Sequence, residues 1–258
     1  MSPKERFIKI LGLNRAVMAL SLARMADAMG NSILFILIPL YVAKLPHEYL
    51  PLAIPVLVGL LISLFGFITS IFQPVMGAIS DKLNKRKALI QVGLGIIAVS
   101  TLFFVFAESF THLIVLRIFQ GIGVAITIPA SMSLMTAITQ KESRGSSMGV
   151  FSTFRMIGFA AGPVIGGYLK VYFGFDAAFY AGAALIFLSM LLVQLWVKEV
   201  TLDLDEDEAA TKRLSIFDAS LYNAGIFSAA VAIFVMACCF SMVTTLENAF
   251  NARLEMTA

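Results

Sequence analysis

The chain has 258 residues, of which 59% are hydrophobic and 14% are charged, and its formal net charge is +3. Soluble domains are about 45–50% apolar and about 25% charged, so both departures exclude an ordinary soluble domain and indicate a chain dissolved mainly in lipid. The small net charge gives no electrostatic footprint for nucleic acid.

Long apolar segments dominate the chain. A helix needs about 20 mainly apolar residues to cross the ~30 Å hydrocarbon core of a bilayer. Seven segments meet this requirement, at 16–43, 51–79, 88–107, 110–139, 146–170, 175–197 and 222–246. The sequence therefore predicts three parts: a six-helix bundle at 1–197, a charged cytoplasmic loop at 198–221 and a further helix within 222–258.

Lysine and arginine set the expected orientation, because the cytoplasmic loops of membrane proteins are enriched in them. With the N-terminus inside, most of the 19 basic residues fall on the inner side, and the outer segments carry only Lys44, Lys170 and Arg253. We therefore predict an integral plasma (inner) membrane protein whose N-terminus is cytoplasmic.

Three polar residues of the first span, Arg24, Asp27 and Asn31, share one helix face. Asp27 lies about 16 Å along the helix, near the middle of the ~30 Å core, where a carboxyl group must face water, a partner or a substrate path. Two interpretations stay open, a structural Arg24–Asp27 pair and a site for substrate and proton. Desolvation favours the neutral acid and a nearby arginine favours the anion, so a change in exposure can change protonation.

The loop between the second and third spans places Asp81 four residues after Gly77, followed by a run of basic residues. We expect Gly77 to permit close helix approach and Asp81 to accept hydrogen bonds from a neighbouring helix N-terminus. We expect Lys82 and Arg86 to lie at the inner lipid surface. Asn84 is suited to a left-handed turn. A plain basic loop explains the cations but not the Gly-x-x-x-Asp spacing.

The fourth span carries Arg117 and, one turn later, Gln120. A charged residue at this depth of about 7–10 Å is costly, so Arg117 is expected to face a cavity or a partner. The alternative is that its side chain extends to the outer headgroups. Both interpretations stay open.

Small residues recur along the fifth span, at Gly158, Gly162, Pro163, Gly166 and Gly167. Glycines four residues apart line one face and allow two helix backbones to touch, and the proline removes a backbone hydrogen bond and predicts a kink. Arg155 lies one turn before this pattern, about 15 Å into the span. It is a candidate to bind an anionic group or to pair with Asp27, and a structural role is an equal alternative.

The motifs of the loop after the second span, of the fourth span and of the fifth span, in this order, resemble those of the major facilitator superfamily. The resemblance is closest to its twelve-span drug–proton antiporters. The segment 77–87 is similar to the family's signature loop, the segment 117–121 to its Arg-x-x-Gln-Gly pattern, and the segment 158–167 to the glycine–proline pattern that the family associates with antiporters.

The resemblance implies an all-α membrane bundle in which six helices form two three-helix inverted repeats, the N-terminal half of a transporter. A seventh helix would open the second half, so we expect the chain to be an N-terminal fragment. The implied function is proton-coupled efflux of small, drug-like molecules by alternating access, with the proton as the coupling ion. An acidic residue in the first helix, here Asp27, would take part in proton coupling or cation binding.

Two other functions stay open: export of a sugar or another metabolite by the same fold, and a non-transporting half that pairs with a second subunit. We expect no enzymatic activity, no metal and no organic cofactor, since His47 and His112 show no metal-ligand spacing. The expected partners are membrane lipid, a small-molecule substrate and a C-terminal half or second subunit, and nucleic acid is not among them.

Overall fold

The computed structural model describes residues 14–45, 52–200 and scattered helical positions between 228 and 242. The predicted loop at 198–221, beyond its first three residues, and most of the predicted helix within 222–258 lie outside the described residues. The described chain forms helices at α1 Arg15–Val42, α2 Ile54–Leu83, α3 Arg86–Phe103, α4 Phe110–Ile138 and α5 Arg144–Trp196. A short 3₁₀ turn, Phe104–Phe106, follows α3. The predicted all-α class is confirmed, and these helices are long and apolar enough to span a bilayer.

Helix α5 contains two of the predicted spans. Its 53 residues would extend about 80 Å, far more than one bilayer core requires. Gly174 interrupts the helix with φ 89° and ψ −179°, a conformation that essentially only glycine adopts. The first arm of α5 (144–173) and the second arm (175–196) are each long enough for one crossing. They coincide with the predicted fifth and sixth spans.

The helix boundaries follow from local chemistry. Asn14 caps α1, since its side-chain oxygen accepts a hydrogen bond from the backbone N–H of Val17 at 2.7 Å. The same side chain donates to the carbonyl of Ile138 at the end of α4, at 2.9 Å, so one residue satisfies two helix ends. Asn84 ends α2 in the left-handed conformation, with φ 50°, and the predicted turn is confirmed.

Helix α1 packs between the two arms of α5. A methyl group added at Gly162 would lie 2.6 Å from the carbonyl oxygen of Met29, and one added at Gly166 would lie 2.9 Å from the Ile33 side chain. Gly158 meets α1 in the same way, so the predicted glycine face is confirmed. We call this contact, where Gly158, Gly162 and Gly166 of α5 meet α1, the α1–α5 seam. Gly167 has open space around it and lies outside the seam.

Helix α4 has the corresponding position between α2 and α3. A methyl group at Gly123 would lie 2.8 Å from the carbonyl oxygen of Gly93 in α3, and one at Gly121 would lie 2.9 Å from Ile68 in α2. The first helix of each three-helix unit therefore packs between the second and third helices of the other unit. This exchange is the arrangement expected of two related repeats.

Buried apolar side chains form two clusters at opposite ends of the bundle. The cluster at the N-terminal end of α1 includes Leu20, Leu94 and Leu134, and the cluster at the C-terminal end of α1 includes Leu37 and Phe104. Between the clusters, α1 and α4 carry buried polar groups, which include Asp27, Arg117, Gln120 and Thr127. The candidate site residues of these two helices thus occupy a polar layer in the middle of the bundle.

The expectations for Gly77 and Arg86, in and beside the loop between α2 and α3, were wrong. A methyl group at Gly77 would meet Pro129 at 3.7 Å, an ordinary contact, so no close approach requires glycine there. Arg86 is 3% exposed and does not lie at the lipid surface. It donates to Ser133 Oγ at 2.6 Å, to Asn84 Oδ1 at 3.1 Å and to the carbonyl of Val200 at 3.3 Å. A guanidinium group has five donors, so Arg86 can bond to all three of these acceptors at once.

Asp81 and Lys82, two further charged residues of that loop, are exposed. The expectation that Asp81 accepts hydrogen bonds from a neighbouring helix N-terminus was also wrong, since no hydrogen bond to its carboxylate occurs among the residues that the structure describes. The N-terminus of α3 is capped instead by Glu199, whose two carboxylate oxygens accept from the backbone N–H groups of Lys87 and Ala88 at 3.0 and 3.3 Å. The chain leaving α5 is therefore attached to the start of α3.

Candidate functional site

The first candidate site is the carboxylate of Asp27, which is 2% exposed. One of its oxygens accepts a hydrogen bond from the Arg24 guanidinium in an ion pair, and Asn31 Nδ2 donates to the other at 2.7 Å. Asn31 also donates to the backbone carbonyl of Asp27 at 3.1 Å. The predicted shared face is confirmed, and a buried charge at mid-span has an opposite charge and an amide as partners.

A small cavity of about 10 Å³ adjoins this ion pair. Its walls come from α1, α3, α4 and the second arm of α5. The lining residues are Leu20, Ala23, Arg24, Asp27, Ile90, Leu94, Thr127, Ser131, Ser189 and Val193. Asp27 therefore faces the interior of the six-helix bundle, where three hydroxyl side chains from other helices accompany it.

Of the alternatives left open for Arg155, pairing with Asp27 is not observed among the described residues. Arg155 is half-buried on the first arm of α5, and no hydrogen bond joins it to Asp27 within the described ranges. It lies within electrostatic range of Arg24 instead. Because Gly158 faces α1 and Arg155 precedes it by three residues, the arginine is rotated about 60° away from the α1–α5 seam.

The second candidate site surrounds Arg117, which is 3% exposed. Its Nη1 donates to Gln120 Oε1 at 3.0 Å, and Gln120 Nε2 donates to Thr101 Oγ1 at 2.9 Å. The guanidinium lies 5.3 Å from the ring centre of Phe65 and 5.9 Å from that of Phe104. The interpretation that Arg117 extends to the outer headgroups was therefore wrong.

Arg117 differs from Arg24 in having no carboxylate partner among the described residues. Its Nε is buried there without a hydrogen-bond partner. Two aromatic faces and one amide oxygen compensate part of the cost of a buried cation. Because the Arg117 Nε–H has no partner among the described residues, it is available to an acceptor or an anionic group.

Several residues of both sites were not predicted. Thr127 and Ser131 are four residues apart on α4, and such spacing of hydroxyls within an apolar span is a pattern that predicts a shared polar face. Ser189, Phe65 and Phe104 carry no comparable pattern, because single serines and phenylalanines are common in any membrane helix. Within the described residues, no group of three or more His, Cys, Asp or Glu side chains is arranged to hold a metal ion.

Comparison with known proteins gives a consistent assignment. The sequence model of the Major Facilitator Superfamily matches residues 20–257. The chain is 31% identical over 142 residues to the multi-drug resistance efflux pump PmrA of Streptococcus pneumoniae, which covers 55% of this chain and 35% of PmrA. It is 30% identical over 173 residues to the multidrug resistance protein MdtG of Proteus mirabilis, which covers 66% of this chain and 42% of MdtG.

Among solved structures, the human organic anion transporter MFSD10 superposes with a TM-score of 0.63 at 19% identity, over 77% of this chain and 49% of that protein. A likeness at this identity concerns the fold. The matched region spans less than half the length of each of these three proteins.

Proposed function

The chain belongs to the Major Facilitator Superfamily, and from this membership we propose that the complete protein exports small, drug-like molecules in exchange for protons. Membership makes it an integral membrane transporter and not an enzyme. The observation that carries the proposal is the buried Asp27 carboxylate, held at mid-span between Arg24 and Asn31. An ionisable group at this depth is by default a hypothesis for a functional site.

The proposed coupling depends on the charge of Asp27. With the carboxylate ionised, Arg24 is held in the ion pair. A proton on the carboxyl removes that charge, and the guanidinium is released toward the side where it is already 14% exposed. Proton binding and the arrangement of polar groups facing a substrate are thereby linked, which is the requirement for exchange.

The α1–α5 seam supports the movement that alternating access needs. Gly158, Gly162 and Gly166 bring two backbones together without intervening side chains. Such a surface lets one helix slide or rock against the other with little repacking. In this proposal the seam carries α1, and with it Asp27, between two arrangements.

The drug-like substrate class is supported by the relatives PmrA and MdtG, whose names describe multidrug resistance. The proposed orientation places the N-terminus in the cytoplasm of a plasma (inner) membrane, on the evidence of the basic inner loops. A C-terminal half, or a second subunit, completes the transport path, since six helices provide one side of a central cavity.

The test uses the full-length protein that carries this chain, reconstituted in liposomes with an imposed pH gradient and ethidium as the transported probe. We expect Asp27→Asn to reduce proton-driven ethidium transport by at least about tenfold, as for the loss of a proton-transfer group. Asp27→Glu keeps the carboxyl group and retains part of the activity. Asp176→Asn, which removes an exposed carboxylate of the second arm of α5, is the matched control. Normal proton-driven transport by Asp27→Asn would contradict the proposal.

A further inference from the structure

The cavity beside Asp27 has the composition of a site for water. Besides Arg24 and Asp27, three hydroxyl side chains line the cavity. Thr127 and Ser131 lie one turn apart on α4, and Ser189 belongs to the second arm of α5. The other lining side chains are apolar. A cavity volume of about 10 Å³ is close to the minimum that one water needs, and a buried water requires two to four polar partners, which the polar part of this lining can supply.

The hydrogen-bonding capacity of the lining is partly unused. The Thr127 hydroxyl donates to the carbonyl of Gly123 at 2.8 Å and keeps its acceptor positions. Ser131 and Ser189 are 3% and 1% exposed, and neither hydroxyl bonds to another described residue. An ionised carboxylate offers about four acceptor positions, of which Arg24 and Asn31 use one each at Asp27.

We propose that this cavity binds one water molecule, and that this water is the proton donor and acceptor of Asp27. In the forward step a protonated water transfers its proton to a carboxylate oxygen and remains as neutral water, and the reverse step returns the proton. The positive charge of Arg24 at the cavity wall disfavours a metal cation there. This inference rests on the proposed function, since it concerns the same carboxyl group.

In this proposal the proton reaches Asp27 from inside the six-helix bundle. The water lies on the side of Asp27 that faces α3, α4 and the second arm of α5, inside the six-helix bundle. Arg24 and Asn31 are the partners of Asp27 that are partly exposed. None of the lining residues from α3, α4 or α5 is titratable. Arg155, on the first arm of α5, acts on Arg24 from outside the cavity.

The experiment measures proton exchange at Asp27 without any substrate. In the full-length protein in lipid nanodiscs, the infrared carbonyl band of protonated Asp27 is assigned by its loss in Asp27→Asn. Its shift after transfer from H₂O to D₂O is followed in time. Ser189→Val and Ser131→Val fill the cavity and remove a hydroxyl, and we expect each to slow the exchange about tenfold, the effect of one lost hydrogen bond on a barrier. Ser189→Thr keeps the hydroxyl, adds one methyl group and is expected to slow the exchange less.

Ser100→Val is the matched control. Ser100 is a buried serine of α3 that bonds within its own helix, to the carbonyl of Ile96 at 2.7 Å, and does not line this cavity. The exchange rate of the Asp27 proton in Ser100→Val should equal that in the wild type. Wild-type exchange rates in Ser189→Val, Ser131→Val and Ser189→Thr would overturn the water site and leave the proposed function standing. A carboxyl band of Asp27 that is absent at every pH would overturn both.

Discussion

The two buried charged sites of this bundle compensate their charges in different ways. Asp27 and Arg24 neutralise each other, with an amide completing the pair, whereas Arg117 is a cation held by an amide oxygen and two aromatic faces. Both lie in the polar layer between the two apolar clusters. A single proton can change the charge of the first site, while the second offers fixed donors. The Asp27 carboxyl group is therefore suited to proton coupling, and the Arg117 guanidinium is suited to binding an acceptor.

The largest effect should come from removing one partner of the neutral pair. Asp27→Leu leaves Arg24 without its carboxylate, and loss of one partner of a buried pair costs about 3–5 kcal/mol. We expect a decrease of that size in the free energy of unfolding, measured by denaturant titration in a lipid environment. The double variant Arg24→Met, Asp27→Leu should recover most of the loss. A loss of less than about 1 kcal/mol in Asp27→Leu would show that the pair is not stabilising as described.

A smaller effect is expected at the α1–α5 seam, which positions the helix of the first site. Gly162→Ala places a methyl group 2.6 Å from the carbonyl oxygen of Met29, and such overpacking costs about 1–3 kcal/mol. Gly167→Ala, five residues on with open space around it, is the control. Thermal unfolding should distinguish the two variants. Equal melting temperatures would show that the seam is not closely packed at Gly162.

The smallest effect on stability is expected where the cation has no anionic partner. Arg117→Met removes an uncompensated buried charge, which is often neutral or stabilising, but leaves Gln120 Oε1 without its donor, at a cost of about 1–3 kcal/mol. These contributions oppose each other, so we expect a net change within about 1–2 kcal/mol. The double variant Arg117→Met, Gln120→Leu should be more stable than Arg117→Met alone. A loss as large as that in Asp27→Leu would remove the distinction between the two sites.

The sequence predicted those features that depend on local spacing. Apolar runs of about 20 residues located six membrane helices, and positions i, i+3 and i+7 placed Arg24, Asp27 and Asn31 on one face. The glycine face of the fifth span and the left-handed turn at Asn84 are confirmed for the same reason, since each follows from residues that are near in the chain.

Features that depend on helix rotation and on distant partners could not be predicted. The depth of Arg155 along its helix was estimated, but the seam sets the rotation of that helix and turns the side chain away from Asp27. The aromatic neighbours of Arg117 are two among 22 phenylalanines, and sequence does not distinguish a lipid-facing ring from one that covers a cation. The burial of Arg86 could not be predicted, because one of its partners, the carbonyl of Val200, is 114 residues away in the chain.

The attachment of Glu199 and Val200 to the start of α3 has a mechanical consequence. Two carboxylate–amide hydrogen bonds and one from Arg86 join the exit of the second arm of α5 to the turn between α2 and α3. A force applied to the chain after Val200 therefore acts first on that turn, and not on the end of α5 alone. Such a load is therefore distributed between the end of α5 and the start of α3.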